Sequence, residues 1–314
     1  MEEADSVLIT VALCTWNRSQ LLDLTLGEMY HLTIPAGVSW ELIVVDNGST
    51  DDTEVILSKH RDGLPLRRVL EARQGLSHAR NRAIEEAAGE LIVFTDDDVL
   101  VDPGWLAAYH EAQGVWPEAF FFGGVIEPLF TVAAPAWVLR NLDALEGPFA
   151  IRRLGDTVRK LGDDEAPFGA NMGFRSSAIK SLTFDPQLGR IGNNLLSGED
   201  SEMIDRLKSR GAIGVWVGTA RVRHLVPASR LTLDFIRNWY EWGGRTNARI
   251  DALGQSRPAK LWGAPRWTWK RLWMARLCLL TCGRYRGRRW IWAVKEAAKA
   301  RGYILETRGS LRHV

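Results

Sequence analysis

Leu91-Ile92-Val93-Phe94 leads, through Thr95, into Asp96-Asp97-Asp98, so a continuous apolar run ends in three carboxylates. Four consecutive apolar residues with no alternation read as a strand covered on both faces, as in a parallel sheet between helices. In open α/β sheets, ligands bind beyond the carboxyl ends of such strands, which is where these aspartates fall. Magnesium and manganese take oxygen ligands, commonly one or two carboxylates together with substrate phosphates. Three aspartates also suit a solvated turn that caps the next helix, so the triplet takes its meaning from the rest of the chain.

Two earlier runs have the same form. Residues 7–13 (VLITVAL) pass into Cys14-Thr15-Trp16-Asn17-Arg18, and residues 41–45 (ELIVV) pass into Asp46-Asn47-Gly48-Ser49-Thr50-Asp51-Asp52. Between them, Leu22, Leu26 and Met29 have helical spacing and predict a helix over 19–29. Ser49 or Thr50 can cap a helix from about Asp52, and residues 77–88, stopped by Gly89, predict another. Strand, helix, strand, helix, helix, strand is the order of a doubly wound sheet, with three polar loops converging on one edge.

These residues resemble the nucleotide-sugar-binding half of family 2 glycosyltransferases, which have the GT-A fold. In chain order the resemblance is carried by Thr15-Trp16-Asn17-Arg18, VVDNGSTDDT at 44–53, GLSHARNRAIEEAAGELIVFTDDD at 75–98, GANMGFR at 169–175 and LSGEDSEM at 196–203. The ordered set is specific for the superfamily and says much less about the substrate. It implies an α/β fold: a Rossmann-like, doubly wound mixed sheet flanked by helices.

The resemblance also implies roles for single residues. Thr15, Asn17 and Arg18 would line the nucleotide pocket, and Asp46 would accept a hydrogen bond from the base, most typically the uracil imide. Arg80 would neutralise diphosphate charge through paired donors. Asp96 would lie near the ribose and the metal, Asp97 is the variable middle acid, and Asp98 would coordinate Mn2+ or Mg2+. Asn171 stands where the family sets a small polar side chain against the donor sugar. His224, beyond a strand predicted over 212–217, stands in the place of a metal ligand. Asp200 matches the general base, with Glu199 beside it to orient the acceptor or Asp200 itself.

Plainer readings exist for several of these residues. Asp46 beside Asn47-Gly48 favours a turn, Arg80 suits a solvated helix face, and Glu199-Asp200 suits an acidic helix start. His224 could be a packed or capping residue.

The implied reaction is inverting transfer of one sugar from a nucleotide-sugar, most typically a UDP-sugar, to an acceptor hydroxyl. A base of this kind contributes about a hundred- to ten-thousandfold, and a divalent cation stabilises the charge developing on the departing diphosphate. The QxxRW element of processive members is absent from residues 231–251, where a helix ending at Gly243-Gly244 is predicted, so transfer of a single sugar is favoured over polymer synthesis. Arg230, Tyr240 and Arg245 are candidate acceptor or phosphate contacts. A sugar-phosphate nucleotidyltransferase would carry a glycine-rich basic loop after the first strand, and residues 14–18 contain no glycine. A non-catalytic carbohydrate- or membrane-binding module on the same fold has no need of Asp46, Asp96, Asp98 and Asp200 together.

The chain of 314 residues, 46% apolar, can bury a large core. A catalytic domain is expected over 1–228, divided into a nucleotide half (1–100) and an acceptor half (101–228), with a helical extension over 229–314. Charge sets the extension apart: residues 255–314 hold 15 Lys and Arg against Glu296 and Glu306, net +13, while the first 254 hold 25 against 36 acids, net −11. Six of the 14 tryptophans lie there, at 262, 267, 269, 273, 290 and 292. Trp among Lys and Arg suits the interface of an anionic membrane, and it equally suits helices packed on the catalytic domain. No nucleic-acid motif is visible, so nucleic acid is not an expected partner. An acidic start, no membrane-length apolar run and three cysteines without a disulfide framework point to a cytoplasmic protein, peripheral at the inner face of the cell membrane. The expected partners are a nucleotide-sugar donor and a saccharide or lipid-linked acceptor.

Overall fold

The computed structural model describes residues 9–192, 194–253, 260–282 and 287–309. They form two compact units. The first comprises the described residues to Leu129, with Ala150–Gly192 and Glu199–Leu225; the second gathers Phe130–Phe149, the described residues of Asn193–Gly198, and those from Val226 on. Sequence reasoning drew one boundary, at 228, whereas the second unit recruits two earlier segments.

The first unit is built on β1 (Ile9–Thr15), β2 (Trp40–Asp46), β3 (Leu66–Leu70) and β4 (Leu91–Asp96), which lie in the order β3-β2-β1-β4 and are all parallel. Their continuous apolar runs divide between two cores. Val11, Leu13, Leu42, Val44, Leu91 and Val93 face one, and Ala12, Ile43, Val45, Ile92 and Phe94 face the other, all essentially without exposure. That two-sided burial is why these strands do not alternate in sequence. Helices α1 (Ser19–Met29), α2 (Thr53–His60) and α3 (Leu76–Glu86) connect them.

Register brings the strand ends level. Thr15 pairs with Asp46, Cys14 with Asp96, and Asp46 with Leu70, so the loops after β1, β2 and β4 leave one edge together. Sequence reasoning missed β3. Its sequence, LRRVL, has neither an apolar run nor a two-residue alternation, and it lies at the edge of the sheet with Arg67 and Leu70 exposed.

Beyond β4 the sheet turns antiparallel. A short strand β5 (Val99–Val101) and helix α4 (Trp105–Val115) precede β6 (Ala119–Phe130), β7 (Val158–Lys160) and β8 (Asn171–Arg175). After the one-turn helix α5 (Ala136–Leu139) of the second unit and α6 (Ser176–Ile179) of the first come α7 (Glu199–Ser209) and β9 (Ile213–Val226). β4 pairs antiparallel with β8, β8 with β6, and β9 with both β5 and β7. β9 runs 14 residues, so His224, expected after a strand ending near 217, lies inside it.

In the second unit the main helices are α8 (Leu233–Leu253), α9 (Arg266–Cys282) and α10 (Arg288–Gly309). α8 does not stop at Gly243-Gly244. Gly244 lies where an added Cβ would collide with the Lys299 carbonyl, and Gly302 lies equally close to the Glu241 carbonyl. These glycines let α8 and α10 cross backbone to backbone, so the pair marks a helix crossing rather than a helix end. Tyr240 is buried with its hydroxyl donating to the Ala144 carbonyl at 2.9 Å, and Arg245 is paired with Glu241 and Glu306. Both are bound into the fold of this unit.

Candidate active site

The aspartate triplet is held from the loop after β1. Asp97, essentially buried, accepts from Thr15 Oγ1 at 2.9 Å and from Arg18 Nη1 at 2.5 Å. Arg18 Nη1 also lies 3.1 Å from Asp98 Oδ2. Burial pushes the Asp97 carboxyl up to about 6 despite Arg18, and the Asp98 charge adds to the rise. Burial disfavours the Arg18 charge, but Asp97 and Asp98 outweigh it and hold its pKa above the usual value. Thr15 and Arg18 therefore hold the carboxylates themselves.

The pairing of Val99 with His224 delivers the histidine to Asp98. Leu225 N donates to the Asp98 carbonyl at 2.8 Å, and His224 Nε2 lies 3.3 Å from Asp98 Oδ1, both side chains nearly without exposure. Among the described residues no group of three or more His, Cys, Asp and Glu forms a complete metal cage. One carboxylate and one imidazole, beside a resident cationic side chain, fit a divalent ion that takes most of its remaining ligands from phosphate oxygens and water.

The loops after β1 and β2 are locked together. Asn17, with a left-handed φ of 53°, donates its backbone N–H to Ser49 Oγ at 3.0 Å and accepts from Thr50 N at 2.7 Å through Oδ1. Asp46 is buried, its carboxylate accepting from Ser49 N at 2.8 Å and from Arg68 at 2.6 Å. Asn47 donates to the carbonyls of Glu71 and Arg73 and accepts from Gly75 N, tying β2 to the start of α3. Arg68 was missed with its strand. Asn47 was read only as a turn residue, and no local spacing reveals its clamp.

The acidic pair opens α7. Gly198, with φ +102°, turns the chain into the helix. Asp200 Oδ2 accepts from Gly169 N at 3.0 Å, and Oδ1 accepts from Ser201 N at 2.7 Å. Glu199 is buried, with Oε1 2.7 Å from Arg80 Nη1. Burial raises the Glu199 pKa; Arg80 opposes that rise and Asp200 adds to it. Arg80 Nη2 lies 3.8 Å from Asp96 Oδ1, and Gly169 leaves the space its guanidinium fills. Burial opposes the Arg80 charge, but Glu199, Asp96 and Asp200 together hold its pKa high. Arg80 is thus a buried link between the two acidic motifs and not a solvated residue of a helix face.

Asn171 is the clearest correction. It is fully buried, with Oδ1 accepting from Trp105 Nε1 and Tyr109 OH, both at 2.8 Å, and Nδ2 donating to the carbonyls of Val125 and Ala220, both at 2.9 Å. Every hydrogen-bonding position of the amide is filled, so its side chain braces the sheet beneath the site and offers nothing to a sugar.

A parallel sheet with an acidic triplet at its carboxyl edge is continued by antiparallel strands, one of which returns His224 to Asp98, while Glu199 and Asp200 open α7; this is the mixed α/β architecture of the GT-A class. The profile of the family described as "Glycosyl transferase family 2" matches residues 10–114. The succinoglycan biosynthesis protein ExoM of Rhizobium meliloti (strain 1021) is 24% identical over 255 residues, covering 78% of this chain and 76% of that protein. Validoxylamine A glucosyltransferase of Streptomyces hygroscopicus subsp. limoneus is 35% identical over 101 residues, 32% of this chain and 22% of that protein. The Escherichia coli UDP-Glc:alpha-D-GlcNAc-diphosphoundecaprenol beta-1,3-glucosyltransferase WfgD is 27% identical over 109 residues, 35% of this chain and 40% of that protein. Among solved structures, the mannosyltransferase PcManGT from Pyrobaculum calidifontis in complex with GDP-Man and Mn2+ superposes with a TM-score of 0.65 at 19% identity, over 95% of this chain and 86% of that one. S. aureus TarS 1-349 in complex with UDP-GlcNAc gives 0.56 at 14%, over 97% and 92%. The chain thus has the GT-A fold of these structures, and residues 10–114 resemble the family 2 glycosyltransferases.

Proposed function

We propose that this glycosyltransferase moves one sugar, with inversion, from a nucleotide-sugar to an acceptor hydroxyl in the synthesis of a cell-surface polysaccharide or glycolipid. The observation that carries the reading is the double engagement of Arg80, which joins Glu199 at the head of α7 to Asp96 at the end of β4. Acidic groups from distant parts of the chain are thereby fixed beside one another. Asp200, oriented by Gly169 N, removes the acceptor proton as the new bond forms. Glu199 is neutralised by Arg80, so its part is to hold the start of α7 and with it Asp200.

Thr15, Asn17, Arg18 and Asp46 build the nucleotide pocket by fixing the loops that enclose it. Asp98 and His224 would hold Mn2+ or Mg2+, with Asp96 and Asp97 alongside. When bound, the ion supplies Lewis-acid stabilisation of the diphosphate leaving group.

A UDP-sugar is favoured as donor: WfgD is named for UDP-Glc, and TarS was solved with UDP-GlcNAc, although PcManGT was solved with GDP-Man. A lipid-linked acceptor is favoured by the diphosphoundecaprenol in the name of WfgD. The test is nucleoside diphosphate release from a panel of UDP-, GDP- and dTDP-sugars, with Mn2+ or EDTA, by the wild type and by Asp200→Asn. Metal-dependent release from one donor, reduced about a hundredfold or more in the variant, supports the mechanism. Equal release by both proteins removes Asp200 from the role of base.

A further inference from the structure

We propose that α9 is a docking surface for an anionic lipid bilayer, which it enters through Trp273, Leu277 and Leu280. The inference extends the lipid-linked acceptor to the lipid surface itself, and its test requires neither donor nor acceptor. Of the 17 residues of α9, only Thr268 and Ala275 are buried. Trp273 is 74% exposed, Leu277 54% and Leu280 84%. Their spacing of four and three residues stacks them in one stripe along the helix, and Trp267 and Met274, also exposed, widen it. Single exposed apolar side chains are ordinary, but a contiguous stripe of large ones marks a surface that something covers.

Charge identifies the occupant. α9 carries Arg266, Lys270, Arg271 and Arg276 and no acid. Arg271 is paired with Glu296 on α10 at 2.7 Å, but among the described residues no carboxylate pairs with Arg266, Lys270 or Arg276. Several basic side chains elsewhere in the same unit are matched, among them Arg249 with Glu306 at 2.8 Å, Arg301 with Glu241 at 3.3 Å and Arg288 with Asp143 at 3.3 Å. Unmatched positive charge thus coincides with the apolar stripe on one helix. A second copy of the chain docking through the same face would bring like charges together. An anionic headgroup layer answers the charge and its hydrocarbon takes the Trp and Leu side chains, as for amphipathic helices lying in a membrane interface. No described helix is long and apolar enough to cross a membrane, so the contact is one of docking at the surface.

The experiment is flotation of the full chain with phosphatidylcholine vesicles, with and without phosphatidylglycerol. The wild type floats with the anionic vesicles only. Trp273→Ser/Leu277→Ser/Leu280→Ser lowers the partition coefficient at least roughly tenfold, and Lys270→Gln/Arg276→Gln lowers it several-fold and weakens its dependence on salt. Because these side chains lie on the surface, both variants keep the wild-type circular dichroism and donor hydrolysis, which separates loss of docking from failure of the glycosyltransfer reading. Absence of flotation, equal flotation on neutral vesicles, or a triple variant that floats like the wild type overturns the proposal. So does a concentration-dependent dimer in gel filtration that the triple variant abolishes, which would give the stripe to a second copy.

Discussion

Arg80 and Glu199 form a buried ion pair, Nη1 to Oε1 at 2.7 Å, between side chains that are 4% and 6% exposed. Removing one partner leaves the other charge buried with less to balance it, and such losses are worth about 3–5 kcal/mol. Arg80→Met alone is therefore expected to lower stability by roughly 3 kcal/mol in urea denaturation. Arg80→Met/Glu199→Gln, which buries no charge at that contact, should regain more than half of the loss. Additive effects in the double-mutant cycle would show that the two side chains do not act as a pair.

Arg18 occupies part of the electrostatic role that a divalent ion would fill, 3.1 Å from Asp98 and 2.5 Å from Asp97. A metal ion arriving without nucleotide has to share those carboxylates with the guanidinium. Arg18→Met should accordingly bind Mn2+ roughly tenfold more tightly in the absence of nucleotide, and Asp98→Asn should bind it more weakly than the wild type. Isothermal titration calorimetry of Mn2+ into the three proteins decides this. Unchanged affinity in Arg18→Met would mean that the arginine does not compete for the site.

The parallel half of the sheet was legible because its strands are buried on both faces: residues 9–13, 42–45 and 91–94 cannot be read as anything that alternates. The acidic motifs were legible for the same topological reason, since each follows a strand end or opens a helix. What could not be read was pairing between distant segments. The edge strand β3 depends on Leu42 and Val44 for its register, and its Arg68 reaches Asp46 only once that register exists. Asn171 looked like a donor contact because its flanking glycines suggest close approach to a ligand. Its partners Trp105, Tyr109, Val125 and Ala220 lie between 46 and 66 residues away, so nothing local reveals that its amide is saturated. Gly243-Gly244 misled in the opposite direction: a helix-stop signal became a crossing point because α10 supplies a backbone for it to meet.

Glu71 gives a pH dependence with a definite sign. Its carboxylate accepts from Arg73 Nε at 2.9 Å, Nη2 at 2.8 Å and the backbone N at 2.8 Å. Hydrogen bonds from Arg73 hold its pKa at about 2, below the usual 4.5. A carboxyl whose folded pKa is depressed stabilises the fold above its unfolded pKa, and the contribution is lost as pH falls from 4.5 through about 2. Glu71→Gln should melt a few degrees below the wild type at pH 7, roughly the effect of 1 kcal/mol. The gap should narrow steadily when melting is followed at pH 4 and pH 3. A gap that stays constant would show that the carboxylate contributes through packing and not through its charge.

The crossing of α8 and α10 separates two glycines that sequence alone treats alike. At Gly302 a Cβ would run into the Glu241 carbonyl, which is backbone and cannot rotate away, so the helices must separate to admit it. At Gly243 nothing lies within 4 Å of the Cβ position. Gly302→Ala is therefore expected to cost about 1–3 kcal/mol as an overpacking substitution. Gly243→Ala, within a regular helix, should be neutral or stabilising by up to about 1 kcal/mol through helix propensity. Chemical denaturation of the two single variants provides the comparison. Equal effects at the two positions would mean that α8 and α10 do not meet at these glycines, and the continuity of α8 through Gly243-Gly244 would then need another cause.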